Sequence, residues 1–149
     1  MAYPPKKKAA AKKAERDTSW GKVATWYGEH LQKEDSYHTA VVLPNLLRML
    51  ALKKEERVLD LACGEGFFAR EFLKTGAQVE GADIAPELIK QARTQAKTGL
   101  PAQAGDYFVA PAHKLTFAKD GQYDAVSCVL ALQNIEDLPA TFTEVRRVL

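Results

Sequence analysis

Residues 58–72 read VLDLACGEGFFAREF. The first five, VLDLA, form a short apolar run with the length and composition of a buried strand, and Gly64 and Gly66 follow as turn residues. Phe68, Ala69, Phe72 and Leu73 then recur at helical spacing. A helix is therefore predicted over about 65–74, stopped by Thr75 and by Gly76 in a left-handed C-terminal position. A strand that passes through a glycine turn into a helix is half of a βαβ unit, and the chain downstream keeps that rhythm. QVEGAD (78–83) reads as a second strand. Pro86 opens a helix that buries Leu88, Ile89, Ala92 and Ala96 and ends at Thr98 and Gly99. A third strand falls around 107–110. Asp120 and Gly121 turn the chain into YDAVSCVL (123–130), a run suited to a strand covered on both faces. A last helix begins near Pro139, with Leu138, Phe142, Val145 and Leu149 expected on one face. Strands alternating with helices in this way predict an α/β domain with a parallel sheet and right-handed crossovers.

Upstream of residue 57 the pattern is different. Thr18 or Ser19 can cap a helix whose apolar positions are Trp20, Val23, Ala24, Tyr27 and Leu31. A second helix is predicted over 38–52, with Leu43, Leu46, Leu47 and Leu50 on one face and Pro44 bending or restarting it. The expected organisation is thus a leader over 1–17, covering helices over 18–56 and the α/β domain over 57–149.

Composition narrows the function classes. Of 149 residues, 46% are hydrophobic and 27% charged, enough apolar material for a core and too much for a disordered chain. No apolar run approaches the roughly 20 residues of a membrane span. The leader has lysines but no apolar segment behind them, so it is no secretory signal, and the expected location is cytoplasmic. Residues 1–17 hold six Lys/Arg against two Asp/Glu, whereas the rest hold 15 against 17. The folded part is therefore mildly acidic, and no nucleic-acid surface is expected on it; the basic leader reads as disordered. Cys63 and Cys128 lie far apart with no Cys or His at ligand spacing, which predicts free thiols and no metal site.

The strand–turn–helix geometry makes residues 60–66 a cofactor loop. Gly64 and Gly66 clear side chains from the backbone, and the helix start aims unpaired N–H groups at the ligand. Asp83 ends the second strand, where a carboxylate can accept hydrogen bonds from a ribose diol, so an adenosine-containing ligand is implied. Two cofactors compete. Gly64, Gly66 and Ala69 match the G-x-G-x-x-A form of the dinucleotide fingerprint, which would make this an NAD-dependent oxidoreductase domain. Asp60 lies four residues before Gly64, however, and a carboxylate there repels a pyrophosphate. S-adenosylmethionine, with an ammonium, a sulfonium and no phosphate, suits the acids better.

VLDLACGEGFFAREF, followed by GADIAPELIKQAR and YDAVSCVLALQNIEDLPATFTEVRRVL, resembles the class I S-adenosylmethionine-dependent methyltransferases, particularly the small-molecule enzymes of quinone-biosynthesis type. The resemblance covers about 57–149. It implies a Rossmann-like three-layer sandwich with strand order 3-2-1-4, and transfer of a methyl group to a small-molecule acceptor. By that resemblance Asp60, Ala62, Gly64 and Gly66 line the methionine part of the cofactor. Asp83 holds the ribose hydroxyls, Ile84 packs on the adenine, the Ala112 N–H is the contact left for the adenine edge, and Val129 lies beside the methionine moiety. The chain departs from the family in Ala62, which replaces a glycine, in Pro111, which replaces an acidic residue, and in Val129, often a polar residue there. Family members continue through three further strands. The resemblance therefore implies a C-terminally truncated domain whose exposed fourth-strand edge self-associates, and an inactive cofactor-binding fragment is the third reading.

Methyl transfer is an in-line displacement, so positioning can supply most of the catalysis and no fixed catalytic residue is assigned. Tyr27, His30, Tyr37, His38 and His113 are candidate substrate contacts. Gln133, Asn134, Glu136 and Asp137 follow the fourth strand, and Asp137 is expected to cap the last helix. Cys63, near a helix start, is expected to be the more reactive thiol.

Overall fold

A computed structural model describes residues 36–99 and 105–149. The leader, the helix expected over 18–31, Tyr27 and His30 lie outside the described residues. Four parallel strands, β1 (Arg57–Leu61), β2 (Gln78–Asp83), β3 (Asp106–Val109) and β4 (Ala125–Ser127), form one sheet in the order β3-β2-β1-β4. Helices α1 (Leu43–Leu50), α2 (Phe67–Leu73), α3 (Pro86–Gly99) and α4 (Leu138–Val148) accompany it.

Side-chain alternation along β1 explains the layers. Val58 faces Phe67, Phe68 and Phe72 of α2 and Ile89, Ala92 and Ala96 of α3, with Leu43, Leu46, Leu47 and Leu50 of α1 packed on the same cluster. Leu59 and Leu61 face the other way, onto Leu115, Tyr123 and Val148 of α4. Two right-handed crossovers in the same direction put α2 and α3 on one face; the connection over 110–124 returns to β4 across the other face, where α4, which follows β4 in the chain, also packs. The result is the three-layer α/β sandwich with the expected strand order.

Several boundaries differ from expectation. The stretch predicted as one helix over 38–52 is a π-helical turn, His38–Val42, running into α1, whose first turn holds Pro44. Proline has no N–H to give, so the regular helix restarts there. α2 begins at Phe67 rather than 65, because Gly66, at φ +81°, is its left-handed N-terminal cap. The run 123–130 contributes only three residues to the sheet. Tyr123 donates its N–H to the Val148 carbonyl at 2.9 Å, Asp124 pairs with Arg57 ahead of the ladder, and Leu130 turns the chain away at φ +53°. β4 is half-buried except at Ser127, not covered on both faces. On α4 the inward residues are Thr141 and Val148, with Val145 beside them, whereas Phe142 and Leu149 are exposed. Asp137 caps α4 as expected, accepting the Ala140 N–H at 3.0 Å.

Candidate functional site

The carboxyl ends of parallel strands leave a shared edge where the chain passes into loops, the place open α/β sheets use for ligands. Asp60, Ala62, Gly64 and Gly66 sit at that end of β1, Asp83 and Ile84 at that end of β2, Ala112 beyond β3 and Val129 beyond β4. The fold therefore brings all eight expected residues to one edge.

The turn 62–66 is built from left-handed backbone. Ala62 has φ +56°, Gly64 +58° and Gly66 +81°. Glycine adopts this conformation freely, whereas Ala62 carries its strain. A Cβ at Gly64 would meet nothing within 4 Å, so open space lies over the turn at that residue. A Cβ at Gly66 would strike the Tyr107 ring at 2.9 Å, so that glycine serves packing beneath the turn.

Asp83 ties the two loops together. One carboxylate oxygen accepts the Gly64 N–H at 2.9 Å and the other the Ala85 N–H at 2.8 Å. Burial raises Asp83 above the ordinary carboxylate range, and the N–H groups of Ala85, Gly64 and Ile84 oppose that rise. Each oxygen keeps a further lone pair, so bracing the turn and accepting from a hydroxyl are compatible. Ile84 beside it is exposed, an apolar platform at the sheet edge.

Asp60 is 1% exposed, and its Oδ2 has no hydrogen-bond partner. Burial pushes it up to about 7, the Ala69 N–H opposes the shift, and Asp83 adds to it. Glu65 is also buried, but Arg70 meets its carboxylate at 3.1 Å and its carbonyl at 2.6 Å, so its charge is neutralised locally. The expectation for Cys63 is overturned. Its sulfur points inward, against Gly81, and burial together with Asp60, Asp83 and Glu65 drives the thiol well above its ordinary range. Acids outweigh the helix start as neighbours. Cys128 is pushed up to about 11, first by burial and then by Asp60 and Asp83. Both cysteines are free.

Two residues of this region were not singled out from the sequence. Tyr107 lies in β3 opposite Gly81 and is wedged beneath the turn, and Ser127 lies in β4 opposite Asp60. Gly81, an interior strand glycine with no turn to justify it, was the available signal for a close approach. Of the candidate substrate contacts, Tyr37 and His113 are exposed and His38 lies against Phe68, ring centroids 6.3 Å apart. Among the described residues no His, Cys, Asp or Glu cluster could hold a metal, and no helix is long and apolar enough to cross a membrane.

A family model described as a methyltransferase domain matches residues 59–149. A ubiquinone biosynthesis O-methyltransferase from Xanthomonas oryzae pv. oryzae is 37% identical over 94 residues, 62% of this chain and 38% of that protein. The chain thus spans well under half of that relative's length. Among solved structures, an S-adenosylmethionine-dependent methyltransferase from Mesorhizobium loti matches with TM-score 0.64 and 28% identity, over 78% of this chain and 50% of the other. A putative S-adenosylmethionine-dependent methyltransferase from Methanococcus maripaludis matches with TM-score 0.76 over 95% of this chain and 62% of the other; at 15% identity it speaks for the fold.

Proposed function

Because the chain belongs to the methyltransferase domain family, we propose that it carries the cofactor-binding domain of an enzyme that moves a methyl group from S-adenosylmethionine to a small-molecule acceptor. The Xanthomonas relative is named as an O-methyltransferase, which favours a hydroxyl as the acceptor. The observation that carries the reading is the acidic sheet edge: a buried Asp60 with an orphaned oxygen beside a turn that Asp83 braces. Such an edge suits a ligand that brings positive charge and opposes a pyrophosphate, which weighs against the dinucleotide alternative.

Bound S-adenosylmethionine supplies a methyl carbon activated by its sulfonium. The protein's part is to hold it. Gly64 leaves open space beside its backbone, Asp60 faces the cationic amino-acid end, Asp83 accepts from the ribose hydroxyls while fixing the turn, and Ile84 offers an apolar face to the adenine. Ala62, Gly66, Ala112 and Val129 complete the proposed cofactor set, with Gly66 acting through the Tyr107 ring. No general base is required when the acceptor oxygen is already ionised.

The same proposal takes 1–17 as a basic leader, 18–56 as helices over the site and 57–149 as the cofactor domain, in a cytoplasmic protein. It includes self-association through the outer edge of β4, against which no described strand pairs. Calorimetric titration with S-adenosylhomocysteine and, separately, with NADH tests the reading: the first should bind and the second should not. The reverse result would replace it with the oxidoreductase alternative. Concentration-dependent sedimentation tests the edge; a monomer at all concentrations would remove it.

A further inference from the structure

In register, Tyr107, Gly81, Asp60 and Ser127 lie side by side across β3, β2, β1 and β4. They share the sheet face that carries Val58 and packs on α2 and α3. Three atoms in this row, the Tyr107 hydroxyl, Asp60 Oδ2 and Ser127 Oγ, are buried without a partner. A buried carboxylate must be matched by a cation or take up a proton. The ionisable groups coupled to this cluster are Asp83 from β2, Tyr107 from β3, Cys63 and Glu65 from the turn, and Cys128 beyond β4, every one an acid. The arginines on the helices that cover this face are committed elsewhere: Arg70 of α2 is engaged by Glu65 through both its carboxylate and its carbonyl, and Arg93 of α3 donates to the Tyr107 carbonyl. The Ala69 N–H gives Asp60 one hydrogen bond and no charge.

We propose, resting on the cofactor reading above, that Asp60 is a neutral carboxylic acid in the ligand-free chain and that docking of the cofactor's cationic amino-acid end drives its proton off. The Asp60 O–H bond breaks, the proton passes to solvent, and the carboxylate keeps the electron pair and faces the arriving positive charge. Cofactor binding thereby becomes a proton-releasing event, and affinity rises with pH. Before binding, the neutral acid leaves no unmatched negative charge beside Ser127, its neighbour in register. Burial holds Asp60 near 7, so the exchange falls close to neutral pH.

Calorimetry of S-adenosylhomocysteine binding to the 149-residue chain at about pH 6, in two buffers of different ionisation enthalpy, reads the proton directly. Heats should differ by the ionisation enthalpy of about one proton, and affinity should rise close to tenfold per pH unit below about 6.5 and flatten above about 7.5. Asp60→Asn should bind more weakly, with equal heats in both buffers. Carboxyl-carbon NMR of the ligand-free chain should show Asp60 titrating near neutrality. Equal heats for the unaltered chain, or an Asp60 that titrates in the ordinary carboxylate range, would overturn the proposal while leaving the cofactor reading intact. Absence of S-adenosylhomocysteine binding at every pH would overturn both. Should Asp60→Asn not fold, the buffer comparison and the NMR titration of the unaltered chain still decide.

Discussion

Replacing Gly81 with alanine isolates the packing beneath the turn. Gly81 is an ordinary extended residue in the middle of β2, so alanine brings no backbone strain and the effect is steric. The new methyl carbon would lie 2.6 Å from Cδ1 and 2.9 Å from Cε1 of Tyr107, and 2.9 Å from Sγ of Cys63. The thiol can rotate away. The ring cannot do so freely: Tyr107 is 3% exposed, and Gly66 lies close against its hydroxyl end. Overpacking of a confined core site costs about 1 to 3 kcal/mol, and a contact this close belongs at the upper end, about 3 kcal/mol. For a chain of this size the melting temperature should fall by on the order of 10 °C. Tyr107→Val removes both offending ring carbons and keeps a strand-forming side chain. By itself it should cost about 2 to 3 kcal/mol, but in its presence Gly81→Ala should cost almost nothing, a coupling of about 3 kcal/mol. Urea unfolding followed by circular dichroism across the four members of the cycle reads this. Costs that simply add would mean that Gly81 does not exist to admit the Tyr107 ring.

Four further outcomes follow from the site. Gly64→Ala, with open space but φ +58°, should cost only the left-handed strain of about 1 to 2 kcal/mol yet weaken S-adenosylhomocysteine binding at least about tenfold, read by calorimetry. Asp83→Ala should weaken the same binding by about 1.5 to 3 kcal/mol, and Asp83→Asn should lose stability as well, because its amide must turn N–H groups toward the N–H of Gly64 or Ala85. Burial raises Asp60 from 3.8 to about 7, so its protonated form favours the fold. That contribution is complete below pH 4 and is lost as pH rises through about 7, about 4 kcal/mol in all; urea midpoints of Asp60→Asn should lack that component of the decline. Arg70→Met leaves the buried Glu65 carboxylate with the Gln95 hydrogen bond but no counter-charge and should cost about 3 kcal/mol at neutral pH, less at acid pH where Glu65 protonates, seen in thermal melts.

The strand–helix alternation was legible because each βα unit carries its own punctuation: Gly76 at the end of α2 has φ +88°, and Pro86 opens α3. Residues placed by one element and its neighbouring turn, such as Asp60, Gly64 and Asp83, could therefore be assigned to one edge. What stayed hidden depended on partners distant in the chain. Apolar character alone made 123–130 look like a long strand. Its true limit is set by Asp124 pairing with Arg57 and by Tyr123 bonding to Val148 and, through its hydroxyl, to Glu80. The face of α4 was misread because Phe142 outranks Thr141 in hydrophobicity, yet it is Thr141 that faces the core. Tyr107 could not be tied to Gly66 and Gly81 until register put β3 beside β2.

Register also explains why this edge works against its own stability. Among the described residues four buried polar side-chain atoms lack partners, and three of them, on Tyr107, Asp60 and Ser127, lie on one line across the sheet. The fourth, on Thr141, lies on α4, away from that line. Random packing defects would not gather on one line at the carboxyl edge. An apolar residue at Asp60 would pack this row at lower cost, since burying an unmatched carboxyl is unfavourable. On the proposed reading, a ligand that supplied the missing positive charge would turn that cost into affinity by giving the unsatisfied Asp60 oxygen a partner. Asp60→Asn separates the two sides: it should strengthen the ligand-free fold at pH 8 and weaken S-adenosylhomocysteine binding at the same pH. A variant that changed both in the same direction would show that Asp60 serves the architecture of the turn and not the ligand.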